Sequence, residues 1–255
     1  GNLLLGQQYT LLSAAGGLSG AFTTLDASGV SPFLKPNAIF SANGLQLAIT
    51  RGQALASAAK SANQKAVATS GDGLADNNGL LQRLVVLSAD QAPAAFDQLS
   101  GELHASVRSL LVQDARLVRN SALARARHGQ DAFSAQGDAE TGVGAWAEVL
   151  HGSSRLDADG NAATARLSSN TTLVGADLQL DGGWRFGVLG GSGRSDIAIV
   201  GRGSKAEVDG KLAGVYVGQY WEGLGVRAGY TQSWQALRTH RQLTVPGLQG
   251  SVDAK

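Results

Sequence analysis

Thr172-Leu173-Val174-Gly175-Ala176-Asp177-Leu178-Gln179-Leu180-Asp181-Gly182-Gly183-Trp184-Arg185-Phe186-Gly187-Val188 alternates apolar side chains with glycine or polar ones on both sides of a Gly-Gly turn. Successive side chains of a strand point to opposite faces, so Val174, Ala176, Leu178 and Leu180 share one face and Gly175, Asp177 and Gln179 the other. After the turn, Trp184, Phe186 and Val188 alternate with Arg185 and Gly187. The same period returns where Leu224, Val226, Ala228 and Tyr230 alternate with Gly225, Arg227, Gly229 and Thr231. Each strand therefore carries one apolar face and one polar or glycine face.

The connections extend this reading. Asp181-Gly182-Gly183 and Trp221-Glu222-Gly223 are tight turns, whereas Ser153 to Asn170, Ser195 to Glu207 and Ala236 to Gly250 read as long polar loops. Short turns at one end and long loops at the other form the pattern of outer-membrane barrels. Trp146, Trp184, Tyr220, Trp221 and Trp234 fall at strand ends, where interfacial aromatic girdles lie. A soluble β-sandwich produces the same alternation and stays open as an alternative. No stretch approaches the roughly 20 apolar residues of a membrane helix. Any membrane crossing must then use a closed barrel, which satisfies every backbone polar group in lipid.

Upstream of the alternating region, a polar stretch from Gly129 to Gly142 reads as a linker. From Pro93 to Arg127, Phe96, Leu99, Leu103, Val107, Leu110, Leu111, Leu117 and Val118 recur at spacings of three and four, which predicts an amphipathic helix, weakest at Gly101. Its polar side carries Arg108, Arg116 and Arg119, with Asp114 nearby. Residues 54–68 are alanine-rich, Leu80 to Leu87 is apolar, and Ser88 to Pro93 has the form of a helix start. Between Gly6 and Arg51, short β-type runs are punctuated by glycine and proline, and Asn43-Gly44 is a hairpin signal.

Composition narrows the function. Lys+Arg 21 against Asp+Glu 20 leaves a formal charge of +1, without the basic surplus that a nucleic-acid partner needs. The one basic cluster lies between Arg108 and Arg127. With no Cys, disulfide frameworks and thiolate chemistry are excluded. With no Met and a start at Gly1-Asn2-Leu3, the chain reads as a piece of a longer protein whose targeting signal lies upstream. None of His104, His128, His151 and His240 sits in a zinc motif. Glu102, His104 and Ser106 are adjacent in sequence, but triads are assembled from distant segments, so helical packing is the better reading. Asp157-Ala158-Asp159-Gly160-Asn161 lacks the remaining ligand spacing of a calcium loop and reads as an exposed tip. The glycines from Gly187 to Gly193 precede no helix that could cradle phosphate, and small residues facing a crowded lumen explain them better. No catalytic residue, metal site or cofactor is expected in these residues.

Phe96-Asp97-Gln98-Leu99-Ser100-Gly101-Glu102-Leu103-His104-Ala105-Ser106, followed by Asp114-Ala115-Arg116-Leu117-Val118-Arg119, resembles the segment just before the barrel of classical monomeric autotransporters. Leu212 to Gly218, Leu224 to Tyr230 and Arg241 to Gly247 are similar to that family's middle barrel strands. Tyr9 to Leu12, Gly17 to Gly20 and Phe33 to Ile49 resemble the end of a β-helical passenger. The resemblance implies a mainly β chain with a helical segment, in the outer membrane of a Gram-negative bacterium. It divides the chain into a β-helix-like cap at 1–52, a linker with a helical segment at 53–92, an amphipathic pore helix at 93–128, a linker at 129–142 and a partial antiparallel transmembrane β-barrel at 143–255. About five strand candidates are present, where the family implies a barrel of about twelve and closed barrels start at about eight.

The function so implied is a translocator that anchors and exports an N-terminal passenger. Its partners would be outer-membrane lipid, the barrel-assembly machinery and the passenger itself, with no nucleic acid. In the lumen, Arg108, Arg116 and Arg119 would need acidic partners, and Glu148 and Asp177 on the inward faces are the candidates, with Arg185 and Arg227 repelling. Val174, Ala176, Leu178, Trp184, Phe186 and Val188 would face lipid. Family members carry subtilisin-like proteases, lipases or adhesins, so one alternative is the carrier part of a secreted hydrolase whose catalytic domain lies upstream. A soluble β-rich adhesin fragment is the other.

Overall fold

The computed structural model describes residues 3–20, 24–127, 142–221, 224–245 and 248–254. The chain divides into two compact units, one made of residues 1–101, 159–162 and 242–251, the other of 102–158, 163–241 and 252–255.

In the first unit, β1 (Gln8–Ser13), β2 (Leu34–Ser41) and β3 (Gly44–Arg51) form an antiparallel sheet in the order β1-β3-β2. The hairpin expected at Asn43-Gly44 is there, with Ser41 paired to Gly44. Helices α1 (Ala62–Asp72), α2 (Gly79–Leu84) and α3 (Ala92–Leu99) follow. Each start has a local cause. Ser61 accepts the Gln64 N–H at 3.3 Å while Gln64 Oε1 accepts the Lys60 N–H at 2.7 Å, two reciprocal caps on α1. Asn78 accepts the Leu80 N–H at 2.9 Å and opens α2. Phe33, Ile49, Leu55, Leu81, Leu84, Leu87 and Phe96 fill the core between sheet and helices.

The second unit is helix α4 (Glu102–Arg127) and a sheet of six antiparallel strands in sequence order. These are β4 (Gly142–Leu156), β5 (Ala165–Gln179), β6 (Arg185–Ile199), β7 (Ser204–Trp221), β8 (Leu224–Val245) and β9 (Leu248–Ala254). The long helical pattern breaks at Ser100-Gly101, between α3 and α4. Among the described residues the sheet does not close on itself, and it holds one strand more than the about five read from the sequence. The turn between β5 and β6 places Gly182 and Gly183 at φ 75 and 82, a left-handed backbone that other residues rarely adopt.

The polar stretches read as long loops are mostly strand. Pairing of β4 with β5 runs on to Leu156 with Ala165, and that of β6 with β7 to Ile199 with Ser204. The stretches looked like loops because their polar residues sit on one face only. On the other face Leu167, Ile197, Ile199, Ala206 and Val208 are buried. A strand whose apolar face changes sides part-way reads as irregular sequence while its backbone ladder continues.

That change of sides organises the sheet. Away from α4, three cross-strand rows are apolar through β7: Val143, Leu178, Phe186 and Val217; Ala145, Ala176, Val188 and Val215; Ala147, Val174, Gly190 and Ala213. On β8 their partners are Ala228, Tyr230 and Gln232. The next row is Val149, Thr172, Ser192, Lys211 and Trp234, and the one after it His151, Asn170, Arg194, Asp209 and Ala236. From Thr172 to Leu180 is about 26 Å along the strand, or about 20 Å along a membrane normal at the usual tilt. That height suits a thin bilayer.

Candidate functional site

The inner face of the sheet is the site, because α4 lies along it. Every third or fourth residue of α4 is turned to the wall: Leu103, Val107 and Leu110 meet the buried cluster of Leu167, Ile197, Ile199 and Val208, and Ala122 and Ala126 meet Trp146, Leu173 and Tyr216. Backbone comes close enough at Gly218 that a Cβ there would fall within the Ala126 carbonyl, so glycine is required.

Polar contacts fasten the helix at intervals. At its start, the buried Glu102 pairs with Arg202 and accepts the Ala163 N–H at 2.8 Å. Half-way along, Ser169 donates to Asp114 at 2.6 Å. Further on, Ser121 donates to Glu148. Near the end, Arg125 donates to Asp177 at 3.0 Å, and Asp177 also receives Arg185 at 2.7 Å and the Tyr216 hydroxyl at 2.8 Å. Tyr216 accepts the Trp146 indole N–H at 2.9 Å, and the Arg125 guanidinium lies 5.1 Å from that ring. With its side chain 3% exposed, the Asp177 carboxylate is a buried charge that these two cations and one hydroxyl compensate.

The candidates from sequence are distributed differently from the expected pairing. Asp177 and Glu148 do face α4, but their partners are Arg125 and Ser121. Arg108, Arg116 and Arg119 are exposed, and none takes part in an ion pair among the described residues. The reason is angular: Arg125 continues the stripe through Val107, Leu110, Asp114 and Ser121, while the other three project from it. The stripe itself was the signal that singles out Arg125, and the density of arginines obscured it. Arg185 joins the network instead of repelling it, and Arg227 donates to the Leu123 carbonyl at 3.4 Å. Trp146, expected in an interfacial girdle, points inward and is 5% exposed.

On the outer face, Val174, Leu178, Trp184, Phe186 and Val188 are between 40% and 57% exposed, and Ala176 is half-buried. Trp184 stacks on Phe186 at 5.8 Å and meets Trp221 edge-on at 6.5 Å, a cluster at the short-turn end of the apolar rows. Glu222 and Gly223 of the second short turn lie outside the described residues, as do residues 129–141 of the expected linker.

Residues 145–255 match the family model of the autotransporter beta-domain. Over 94% of its length the chain is 28% identical to an extracellular serine protease of Serratia marcescens, and 26% identical to a second one. It spans 27% of the length of each of these curated relatives. No solved structure matches it significantly.

Proposed function

We propose, from the premise that residues 145–255 belong to the autotransporter beta-domain, that this chain is the translocator of an outer-membrane autotransporter, which anchors and exports an N-terminal passenger. One observation carries the reading: apolar rows cross the outer face of the sheet while a helix fastened by buried polar contacts occupies the inner face. A soluble sandwich would bury its apolar face and expose its polar one, the reverse of the arrangement between Thr172 and Leu180.

The residues described here act by shape and electrostatics. α4 starts at the end of the long hairpins and finishes beside Gly218, near the β5–β6 turn, so the lumen is threaded along its axis. On this reading the long hairpins face the exterior, and the partners are outer-membrane lipid, the barrel-assembly machinery and the passenger. The exposed arginines Arg108, Arg116 and Arg119 would be covered in a complete barrel, whose remaining wall supplies their counter-charges. The relatives' description favours a serine protease as the exported passenger, with its catalytic residues outside this stretch.

The test uses the full-length protein in lipid vesicles with nitroxides at Val174, Leu178 or Val188. Relaxation by lipid-soluble oxygen is the expected result. Relaxation by aqueous nickel chelates alone would overturn the membrane assignment.

A further inference from the structure

The border row of the outer face carries a cation with no counter-charge among the described residues. Lys211 stands between Ser192 and Trp234, in a row with Val149 and Thr172 and without any carboxylate. No ion pair among the described residues involves Lys211, whereas the acids of the rows beyond are engaged: Asp209 by Arg238 at 3.2 Å and Glu207 by Arg194 at 2.8 Å. An open cavity of about 650 Å³ lies here, lined by Asn170, Ser192, Arg194, Asp209, Lys211 and Trp234.

The same strands carry a second cavity, of about 770 Å³, whose outer-face lining includes Ala176, Val188, Val215, Ala228 and Tyr230. From Val188 to Ser192 is about 13 Å along β6. A cationic notch at the polar border thus stands directly above an apolar groove in the same four strands, β5 to β8.

We propose that the two cavities seat one phosphorylated lipid of the bilayer leaflet into which the long hairpins project, with its phosphate at Lys211 and an acyl chain in the groove. Lysine supplies three donors and a point charge, Ser192 a hydroxyl, and Trp234 the indole that settles at a headgroup boundary. A soluble anion would leave the apolar groove unused. A second copy of this face would bring another lysine against the first. The inference rests on the reading that the outer face meets lipid.

The experiment uses full-length protein in phosphatidylcholine nanodiscs, with an environment-sensitive dye on Gln232→Cys, between notch and groove. The probes are bis-phosphorylated lipid A and its dephosphorylated form, which share their acyl chains. The phosphorylated form should saturate the dye response at a mole fraction about fivefold lower, the worth of one cation near an anionic lipid, and Lys211→Gln should remove that preference while Lys211→Arg keeps it. Equal responses to both lipids, an unchanged preference in Lys211→Gln, or saturation by inorganic phosphate alone would each overturn the proposal. So would a dye response that follows protein concentration without either probe, which marks self-association. Quenching of a Val188→Cys label by brominated acyl chains separates the two failures. With quenching and no phosphate preference only this inference falls; without quenching the membrane assignment falls as well.

Discussion

Asp177 is the residue on which most of the inner-wall chemistry converges, since it accepts from Arg125, Arg185 and Tyr216 in a nearly dry setting. Removing one of its two cations leaves the buried carboxylate under-compensated, at a cost of up to the about 3–5 kcal/mol of a broken buried pair. Arg125→Gln in the full-length protein should therefore lower the temperature at which the folded barrel band converts on a heat-modifiability gel. Arg155→Gln, which breaks an exposed ion pair near a hairpin tip, should leave that temperature nearly unchanged. Equal effects would show that Arg125 has no special place. A milder effect is expected at Asp159, whose pKa is held below the usual aspartate value by N–H bonds from Ala162 at 2.7 Å and Asn161 at 2.9 Å. A depressed carboxylate favours the ordered turn above its unfolded pKa, and this support is lost as pH falls through the folded one. Amide exchange at Asn161 and Ala162 should accordingly quicken in acid, beyond its intrinsic pH dependence, and Asp159→Asn should flatten the extra change.

At the scale of elements, α4 and the wall were selected by different features of the sequence. The helix was visible as a spacing of three and four, and its break at Gly101 was visible as a glycine. Its orientation was not, because a helix of 26 residues with apolar side chains on more than one flank offers several faces to a wall. The close approach at Gly218 settles it. Gly218→Val should push the last turn of α4 outward and loosen the Arg125–Asp177 pair. A larger single-channel conductance with a smaller melting temperature is the expected pair of changes, and normal values for both would place the helix end elsewhere. The strands show the opposite problem. Ser153 to Asn170 looked like a loop because the outer face is polar there, yet Leu167 and Leu156 on the inner face keep the ladder paired over α4.

For the whole molecule, the hairpins joining β4 to β5 and β6 to β7 should project beyond the bilayer as paired ribbons, leaving only residues 157–164 and 200–203 as tips. External Asp-N protease on intact cells carrying the complete protein should cut at Asp157 or Asp159 in the first tip and spare Asp196 and Asp209 within the ladders. Frequent cutting inside the ladders would mean flexible loops at this end. The antiparallel class, the Gly-Gly turn, the helix and the apolar outer rows were all determined by local sequence, because period and turn chemistry depend on near neighbours alone. Membership of Arg125, Asp177, Tyr216 and Trp146 in one network, the inward turn of Trp146 and the pairing of Glu102 with Arg202 were decided only by tertiary structure. Those groups are separated by tens of residues, and a buried charge is tolerated only where the fold brings its partner.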